Sequence, residues 1–134
     1  MNHIVIIGAG QAAAQAVVSL RQGGYEDAIT LIGDEQELPY QRPPLSKKHL
    51  SGEMEAERLF FRGQEYYDNE NVTLKLGYRV TAISTDEKTV TLDDQSELAF
   101  SKLIICTGSR PRQLPLPGAD LANIFDVRTI ADID

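Results

Sequence analysis

Short apolar runs alternate with a helical pattern at the start of the chain. The run His3–Ile7 is short, β-branched and almost continuously apolar, which is typical of a strand buried on both faces of a parallel sheet. Between residues 11 and 22, apolar residues recur at helical spacing, and Gly23-Gly24 then supplies a helix stop. Ala28–Ile32 repeats the buried-strand pattern. The pattern therefore predicts a βαβ unit, whose crossover is nearly always right-handed.

The middle of the chain lacks this regular alternation. Gly33 to Leu45 contains three prolines, so a long loop is predicted, and long loops inside compact domains are usually functional or disordered. Two short helices are expected next, over Ser46–Leu50 with Ser46 as the N-cap, and over Gln64–Asn69.

Four short strands are predicted after these helices, together forming a small antiparallel excursion. Their ranges are Val72–Leu76, Val80–Ser84, Thr89–Leu92 and Glu97–Phe100. Asp93-Asp94-Gln95 is predicted to form a turn between the last two. Leu103–Cys106 returns to the continuous apolar pattern, so it is expected to rejoin the first sheet as a buried parallel strand. A second proline-rich connection follows, and Thr129 is predicted to open a helix that the chain end interrupts.

A dinucleotide-binding fingerprint lies between the first strand and the first helix. It has the form G-x-G-x-x-A and consists of Gly8, Ala9, Gly10, Gln11, Ala12 and Ala13. Gly8 allows a tight turn, Gly10 lets a pyrophosphate approach the backbone, and Ala13 lets helix and strand pack closely. The helix N-terminus at Gln11 and Ala12 offers free N–H groups and a positive dipole to the phosphates. A plain glycine turn is the alternative interpretation.

The fingerprint also requires a carboxylate near the end of the second strand to bind a ribose hydroxyl. Gly33 takes the first place after Ile32, which leaves Asp34 or Glu35 for this role. Either side chain could instead be merely solvated, as acidic residues in loops often are.

Composition excludes several other functions. The 134 residues carry 13 basic and 20 acidic residues, a net charge of −7, and no basic face of the kind that binds nucleic acid. The single cysteine, Cys106, rules out an internal disulfide, and the two distant histidines, His3 and His49, cannot make a metal cluster alone. No stretch is long and apolar enough for a membrane span, and no basic leader precedes the first strand, so the cytoplasm is the expected location.

The proline-rich loop carries a family signature. Pro39–Lys47 (PYQRPPLSK) resembles the PY-x-RPPLSK motif of FAD-dependent ferredoxin reductases that serve bacterial cytochrome P450 and aromatic-ring dioxygenase systems. The likeness extends over the whole chain, through Gly77–Ile83, Cys106–Arg112 and Val127–Thr129. The expected fold is therefore α/β, a Rossmann-like parallel sheet with a small antiparallel excursion. The resemblance implies that residues 1–134 form the N-terminal part of an incomplete FAD/NAD(P)-binding domain, without the NAD(P)-binding and C-terminal domains.

The resemblance also implies roles for individual residues. Lys47 is expected near the reactive nitrogen of the isoalloxazine, as the residue closest to catalysis, and Val80 at the adenine end. The other implied or expected cofactor contacts are Arg42, Pro43, Thr107, Gly108 and Arg128. Physically, Arg42 can fork onto phosphate, and a rigid Pro43 segment loses little entropy on binding. The alternative is an exposed basic patch made of Arg42, Lys47, Lys48 and His49, in which charge patterning alone leaves Lys48 and His49 in solvent.

The cysteine pattern separates this chain from the disulfide reductases of the same superfamily. Those enzymes carry a CxxxxC pair after the second strand, whereas residues 34–60 contain no cysteine. Cys106 is interpreted as a small buried hydrophobic residue. The resemblance thus implies direct electron exchange: NAD(P)H, bound by a domain outside this chain, reduces FAD, which passes electrons to a [2Fe–2S] ferredoxin. A flavin-binding signalling protein of the apoptosis-inducing-factor type, a rubredoxin reductase and a free-standing nucleotide-binding module are the alternatives.

Overall fold

The structure is a computed structural model that describes residues 2–110, 112, 114–118, 121–122 and 125–133. Pro111, within the predicted Cys106–Arg112 signature, lies outside the described residues. The strands are β1 (His3–Ile7), β2 (Ala28–Gly33), β3 (Val72–Leu76), β4 (Val80–Ser84), β5 (Thr89–Leu92), β6 (Glu97–Ala99) and β7 (Lys102–Ile105). The α-helices are α1 (Gln11–Gln22), α2 (Gln64–Asn69) and α3 (Ile130–Ile133), and two 3-10 helices cover Pro43–Ser46 and Ala56–Leu59.

A parallel sheet forms the centre of the fold. Its strand order is β3-β2-β1-β7, and every neighbouring pair is parallel, with Ile6 of β1 opposite Leu31 of β2 and Ile104 of β7. Strands β4, β5 and β6 form a separate antiparallel sheet. The predicted α/β class, with its βαβ unit and its small antiparallel sheet, is confirmed.

The alternation of side chains along β1 and β2 divides the core into two parts. Ile4 and Ile6 share one apolar cluster with Ala13 and Val17 of α1, and this cluster also takes in Tyr67 of α2. Val5 and Ile7 join a second cluster, which contains Val90 and Leu92 of the antiparallel sheet. Since neighbouring residues of a strand face opposite sides of a sheet, helices cover one face and the antiparallel sheet covers the other.

Two predictions for the middle of the chain are wrong. Val72–Leu76 was assigned to the antiparallel excursion, but β3 is the edge strand of the parallel sheet beside β2. The helix predicted over Ser46–Leu50 is replaced by the 3-10 helix Pro43–Ser46, in which Ser46 is the last residue rather than the N-cap. The fixed φ of proline favours the first turn of a helix, so the two prolines start this turn earlier than predicted.

Strand β7 joins the first sheet as predicted, although it is not fully buried. Ile105 is 61% exposed, and Leu103 and Ile104 are only partly buried. Among the described residues β7 is an edge strand beside β1, and the Ile105 side chain is left largely uncovered. A continuous apolar run therefore predicts a strand, but it does not show that other elements pack against both faces of that strand.

The helix that was predicted to open at Thr129 is α3. The Asp132 carboxylate accepts hydrogen bonds from the backbone N–H groups of Thr129 (2.8 Å) and Arg128 (2.7 Å). These bonds lower the pKa of Asp132 and fix the backbone that enters the helix.

Candidate functional site

A cleft of about 1350 Å³ lies at the carboxyl ends of β1, β2 and β7, where open α/β sheets bind ligands. It is larger than the roughly 300–1,000 Å³ of typical small-molecule pockets, so it has room for a dinucleotide. All predicted cofactor-contacting residues except Ala13 line it: Gly8, Gly10, Gln11, Ala12, Asp34, Glu35, Arg42, Pro43, Lys47, Val80, Thr107, Gly108 and Arg128. Ala13 is fully buried in the core between α1 and the sheet.

Gly8 forms the turn from β1 into α1 and touches a neighbouring strand. Its φ of 120° lies in a region that side chains rarely adopt, and its N–H donates to the carbonyl of Ile32 at 2.7 Å. A Cβ atom built there would overlap the carbonyl oxygen of Cys106 and lie 2.6 Å from the carbonyl carbon. Gly8 is therefore required by the packing of β7 against the turn as well as by the turn itself.

Gly10 stands beside open space. Beyond its two chain neighbours, no heavy atom of the described residues lies within 4 Å of a Cβ atom built there. Gly10 is the N-cap of α1, no side chain caps the helix, and its first turn has no acidic residue. The backbone N–H groups of this first turn have no partner within the helix, and together with the helix dipole they favour an anion. The space beside Gly10 therefore fits a phosphate group.

The two candidate acidic residues have different surroundings. The Asp34 side chain is 63% exposed and lies 3.8 Å from Nη2 of Arg79, a weak surface contact. Glu35 is more enclosed: its Oε1 accepts a hydrogen bond from Nη2 of Arg42 at 2.8 Å, and its Oε2 accepts one from the Tyr40 hydroxyl at 2.6 Å. Both oxygens of Glu35 thus bind protein groups, whereas the Asp34 side chain lines the cleft and makes no hydrogen bond to the described residues.

Arg42 lines the cleft, as a cofactor contact would require, and it is also bound by groups of the protein. Besides Glu35, it donates from Nη1 to the Tyr40 hydroxyl (2.9 Å) and to the carbonyl of Arg128 (2.8 Å). Its guanidinium carbon also lies 5.0 Å from the centroid of the Tyr40 ring. Both terminal nitrogens are engaged by the protein, so Arg42 here holds the loop in place.

Tyr40 lies at the centre of these contacts, and the sequence reasoning did not select it. Its side chain is buried, and its hydroxyl also accepts a hydrogen bond from the backbone N–H of Ile130 at 3.0 Å. Burial, followed by the hydrogen bond to Glu35, raises the pKa of Tyr40, so its hydroxyl stays protonated. Its place in the Pro39–Lys47 signature was the available signal. Tyr78 and Arg79 also line the cleft and were not predicted.

The other basic residues of the loop separate into three cases. Lys47 is exposed and lines the cleft, and Lys48 is exposed but is not among the lining residues. His49 is half-buried, with Nδ1 3.0 Å from the carbonyl oxygen of Met54. Charge patterning predicts that His49 lies in solvent. This prediction is wrong, because the turn after the 3-10 helix brings the His49 ring against the backbone of Met54.

Cys106 lines the cleft and is only partly buried, in contrast to the buried position predicted. Burial raises the pKa of its thiol, which favours the neutral form over the nucleophilic thiolate. The described residues bring together no group of three or more potential metal ligands. In the same part of the chain, no helix has the length and apolar character needed to cross a membrane.

Comparison with known proteins gives consistent matches. The profile of the family described as pyridine nucleotide-disulphide oxidoreductase matches residues 2–134. Rhodocoxin reductase of Rhodococcus erythropolis is 44% identical over 131 residues, which are 98% of this chain and 31% of that protein. The benzene 1,2-dioxygenase system ferredoxin–NAD(+) reductase subunit of Pseudomonas putida is 39% identical, over 98% of this chain and 32% of that protein.

Among solved structures, the covalent putidaredoxin reductase–putidaredoxin complex superimposes with a TM-score of 0.92 at 38% identity, covering 98% of this chain and 32% of that chain. The chain thus spans about a third of the length of the relatives that it matches.

Proposed function

The chain belongs to the pyridine nucleotide-disulphide oxidoreductase family, and on this basis we propose that it is the FAD-binding portion of an NAD(P)H-dependent ferredoxin reductase. The family and its relatives depend on FAD and NAD(P)H, and the relatives include ferredoxin reductases of oxygenase systems. The proposed acceptor is a [2Fe–2S] ferredoxin that serves a P450 or a ring-hydroxylating dioxygenase. We further propose that residues 1–134 are the N-terminal part of an FAD-binding domain, and that the nicotinamide is bound by a separate domain.

The observation that carries the proposal is the open space beside Gly10 at the uncapped N-terminus of α1, inside a cleft with room for a dinucleotide. Backbone N–H groups at Gln11 and Ala12 would bind the pyrophosphate, and Val80 would meet the adenine end. Arg128 and Lys47 would bring positive charge to the cofactor, beside Thr107 and Gly108. When bound, FAD would exchange an electron pair with a nicotinamide and single electrons with a carrier.

The chain's own residues would prepare this exchange in two ways. The helix N-terminus and the Arg128 guanidinium beside Gly108 are in place before the cofactor arrives, so they would need little reorganisation on binding. The 3-10 helix at Pro43–Ser46 has little conformational freedom, which holds Lys47 at the edge of the cleft. Within residues 34–60 the sequence has no cysteine that could relay electrons.

The ribose contact is assigned to Asp34 rather than Glu35, since both oxygens of Glu35 already bind Arg42 and Tyr40. We expect Asp34→Ala to raise the Kd for FAD about tenfold, because the variant loses one hydrogen bond to a charged group. Its free energy of unfolding should change little. Glu35→Ala is the matched variant. It should lower the free energy of unfolding by about 1–3 kcal/mol, because it removes the partner of a half-buried guanidinium.

Flavin titration and urea unfolding of both variants in the complete protein test this assignment. If Glu35→Ala lost FAD at unchanged stability while Asp34→Ala bound it normally, the roles would be reversed.

Lys47 and its neighbour Lys48 provide a second matched pair. In the complete enzyme, Lys47→Ala should slow flavin reduction by the nicotinamide about tenfold or more, since a cation fixed at the cofactor stabilises developing negative charge. Lys48→Ala removes the same charge outside the cleft and should change the rate less than about twofold, the size expected for a screened surface charge. Stopped-flow absorbance measures both rates. Equal rates for the two variants would show that Lys47 is only an exposed charge.

The proposed function is tested on the purified complete protein. Absorbance and mass analysis should identify FAD, and NADH or NADPH should drive reduction of a [2Fe–2S] ferredoxin. Recovery of NAD from the Gly8–Ala13 site would contradict the proposal. Efficient reduction of a rubredoxin alone would indicate a rubredoxin reductase, and tight FAD binding without turnover on any carrier would favour the signalling alternative.

A further inference from the structure

The Tyr40 hydroxyl is a fully used hydrogen-bonding group inside the cleft wall. The side chain is 4% exposed, and its oxygen donates to Glu35 and accepts from Nη1 of Arg42 and from the N–H of Ile130. A phenol has one proton to donate and two lone pairs, so these three bonds complete its capacity. Removing the oxygen would leave three buried or half-buried partners incompletely paired.

These contacts join segments that lie far apart in the sequence. Tyr40 and Arg42 belong to the proline-rich loop, whereas Arg128 and Ile130 follow β7, and the two segments are tied by the bonds from Arg42 to the Arg128 carbonyl and from the Ile130 N–H to Tyr40. The Arg128 N–H is held from the other side by Asp132. The backbone of Arg128 is therefore fixed at its carbonyl by the proline-rich loop and at its N–H by Asp132 of α3.

The Arg128 side chain reaches along the cleft wall to the segment that follows β7. Its Nη2 lies 3.4 Å from Oγ of Ser109 and 3.8 Å from a Cβ atom built on Gly108. Glu35 compensates the charge of Arg42 at 2.8 Å, whereas no carboxylate of the described residues lies within 4.0 Å of the Arg128 guanidinium. Of these two arginines, Arg128 is the one whose charge is available to an anionic ligand.

We propose that Tyr40 is a positioning residue, whose hydroxyl fixes Arg42 and the backbone around Arg128 so that the Arg128 guanidinium is placed beside Gly108 before the cofactor phosphates bind. This inference rests on the proposed function. Its physical basis is preorganisation: an arginine that is already ordered loses less conformational entropy when it pairs with phosphate.

A double-mutant cycle on FAD affinity tests the inference. Tyr40→Phe keeps the buried ring and its edge-to-face contact with Phe60 (6.4 Å between centroids) but removes the hydroxyl. In the complete protein, freed of flavin and titrated with FAD, Tyr40→Phe should raise the Kd about tenfold in the wild-type background, as expected for a lost network contact. In the Arg128→Ala background it should raise the Kd less than about twofold, since the residue through which it acts is absent.

Tyr67→Phe is the matched control, because the Tyr67 hydroxyl is also buried but has no hydrogen-bond partner among the described residues and lies outside the cleft. It should leave the Kd unchanged. If Tyr40→Phe fails to fold, Arg42→Lys replaces it, since lysine keeps the charge and loses the fork that bridges Glu35, Tyr40 and Arg128.

The outcomes are distinct. Wild-type protein that does not bind FAD contradicts the proposed function, and the inference with it. Wild-type protein that binds FAD, with an equal effect of Tyr40→Phe in both backgrounds or with no effect at all, overturns the inference alone. A loss of thermal stability without coupling to Arg128 would show a structural role only.

Discussion

Gly10→Val is expected to abolish FAD binding by the complete protein while its fold is retained. The space around a Cβ atom at this position is open, because no heavy atom of the described residues beyond the two chain neighbours lies within 4 Å of it. The backbone of Gly10 has φ −98° and ψ −159°, an extended conformation that valine adopts easily. The side chain would instead fill the space that the pyrophosphate needs, and we expect a loss of affinity of about a hundredfold or more, corresponding to roughly 3 kcal/mol.

Gly63→Val is the matched control. Gly63 is the N-cap of α2, is also extended (φ −81°, ψ 172°), and also has no heavy atom within 4 Å of a built Cβ atom. It lies outside the cleft, so this variant should bind FAD like the wild type. Far-ultraviolet circular dichroism and the flavin-to-protein ratio are measured for both. A Gly10→Val protein that retained stoichiometric flavin would show that the fingerprint does not bind the cofactor.

The βαβ unit could be predicted because the residues that determine it are close together in the sequence. Strands β1 and β2 are buried on both faces, so nearly every residue is apolar, and α1 begins and ends where glycines interrupt the pattern. The strand ends and the fingerprint then place Gly8, Gly10 and the acidic residues at one edge of the sheet. The position of the cleft follows from this local pattern together with the general rule for open α/β sheets.

The neighbours of β3 and the exposure of β7 were not predictable in this way. Thr73 and Lys75 alternate with apolar residues in β3, which is also the pattern of a half-buried antiparallel strand. An edge strand of a parallel sheet has only one sheet neighbour and can carry the same alternation. For β7, Ile105 satisfies the buried pattern and yet is 61% exposed, because the sequence of a strand does not encode what packs against it.

The polar network around Tyr40 could not be predicted from local sequence patterns, for a different reason. The bonds from Arg42 to Arg128 and from Ile130 to Tyr40 join residues 86 and 90 positions apart. The signature in the loop indicates that Arg42 is functional, but not that Glu35 neutralises it. Only the tertiary arrangement separates an arginine that holds the loop from one whose charge is available to a ligand.

The two glycines of the fingerprint illustrate how one motif combines two requirements. At Gly10 a side chain has room in the protein and competes only with the ligand. At Gly8 the same change meets the backbone of Cys106 and Thr107. The motif therefore predicts different phenotypes for its two positions: loss of the cofactor with the fold intact at Gly10, and loss of stability at Gly8.

Gly8→Ala is accordingly expected to lower the free energy of unfolding by about 3–5 kcal/mol, the sum of a strained backbone conformation and overpacking against a rigid backbone. The built Cβ overlaps the Cys106 carbonyl oxygen, and β7 is held there by the bond from the Cys106 N–H to Ile7 (2.7 Å), so relief requires β1 and β7 to separate. Gly24→Ala isolates the first contribution, because Gly24 also has a positive φ (95°) but no heavy atom within 4 Å of a built Cβ atom. Gly24→Ala should lower the free energy of unfolding by only about 1–2 kcal/mol. Urea unfolding of the flavin-free complete protein measures both changes. Equal losses for the two variants would mean that the approach of β7 to Gly8 does not constrain the fold.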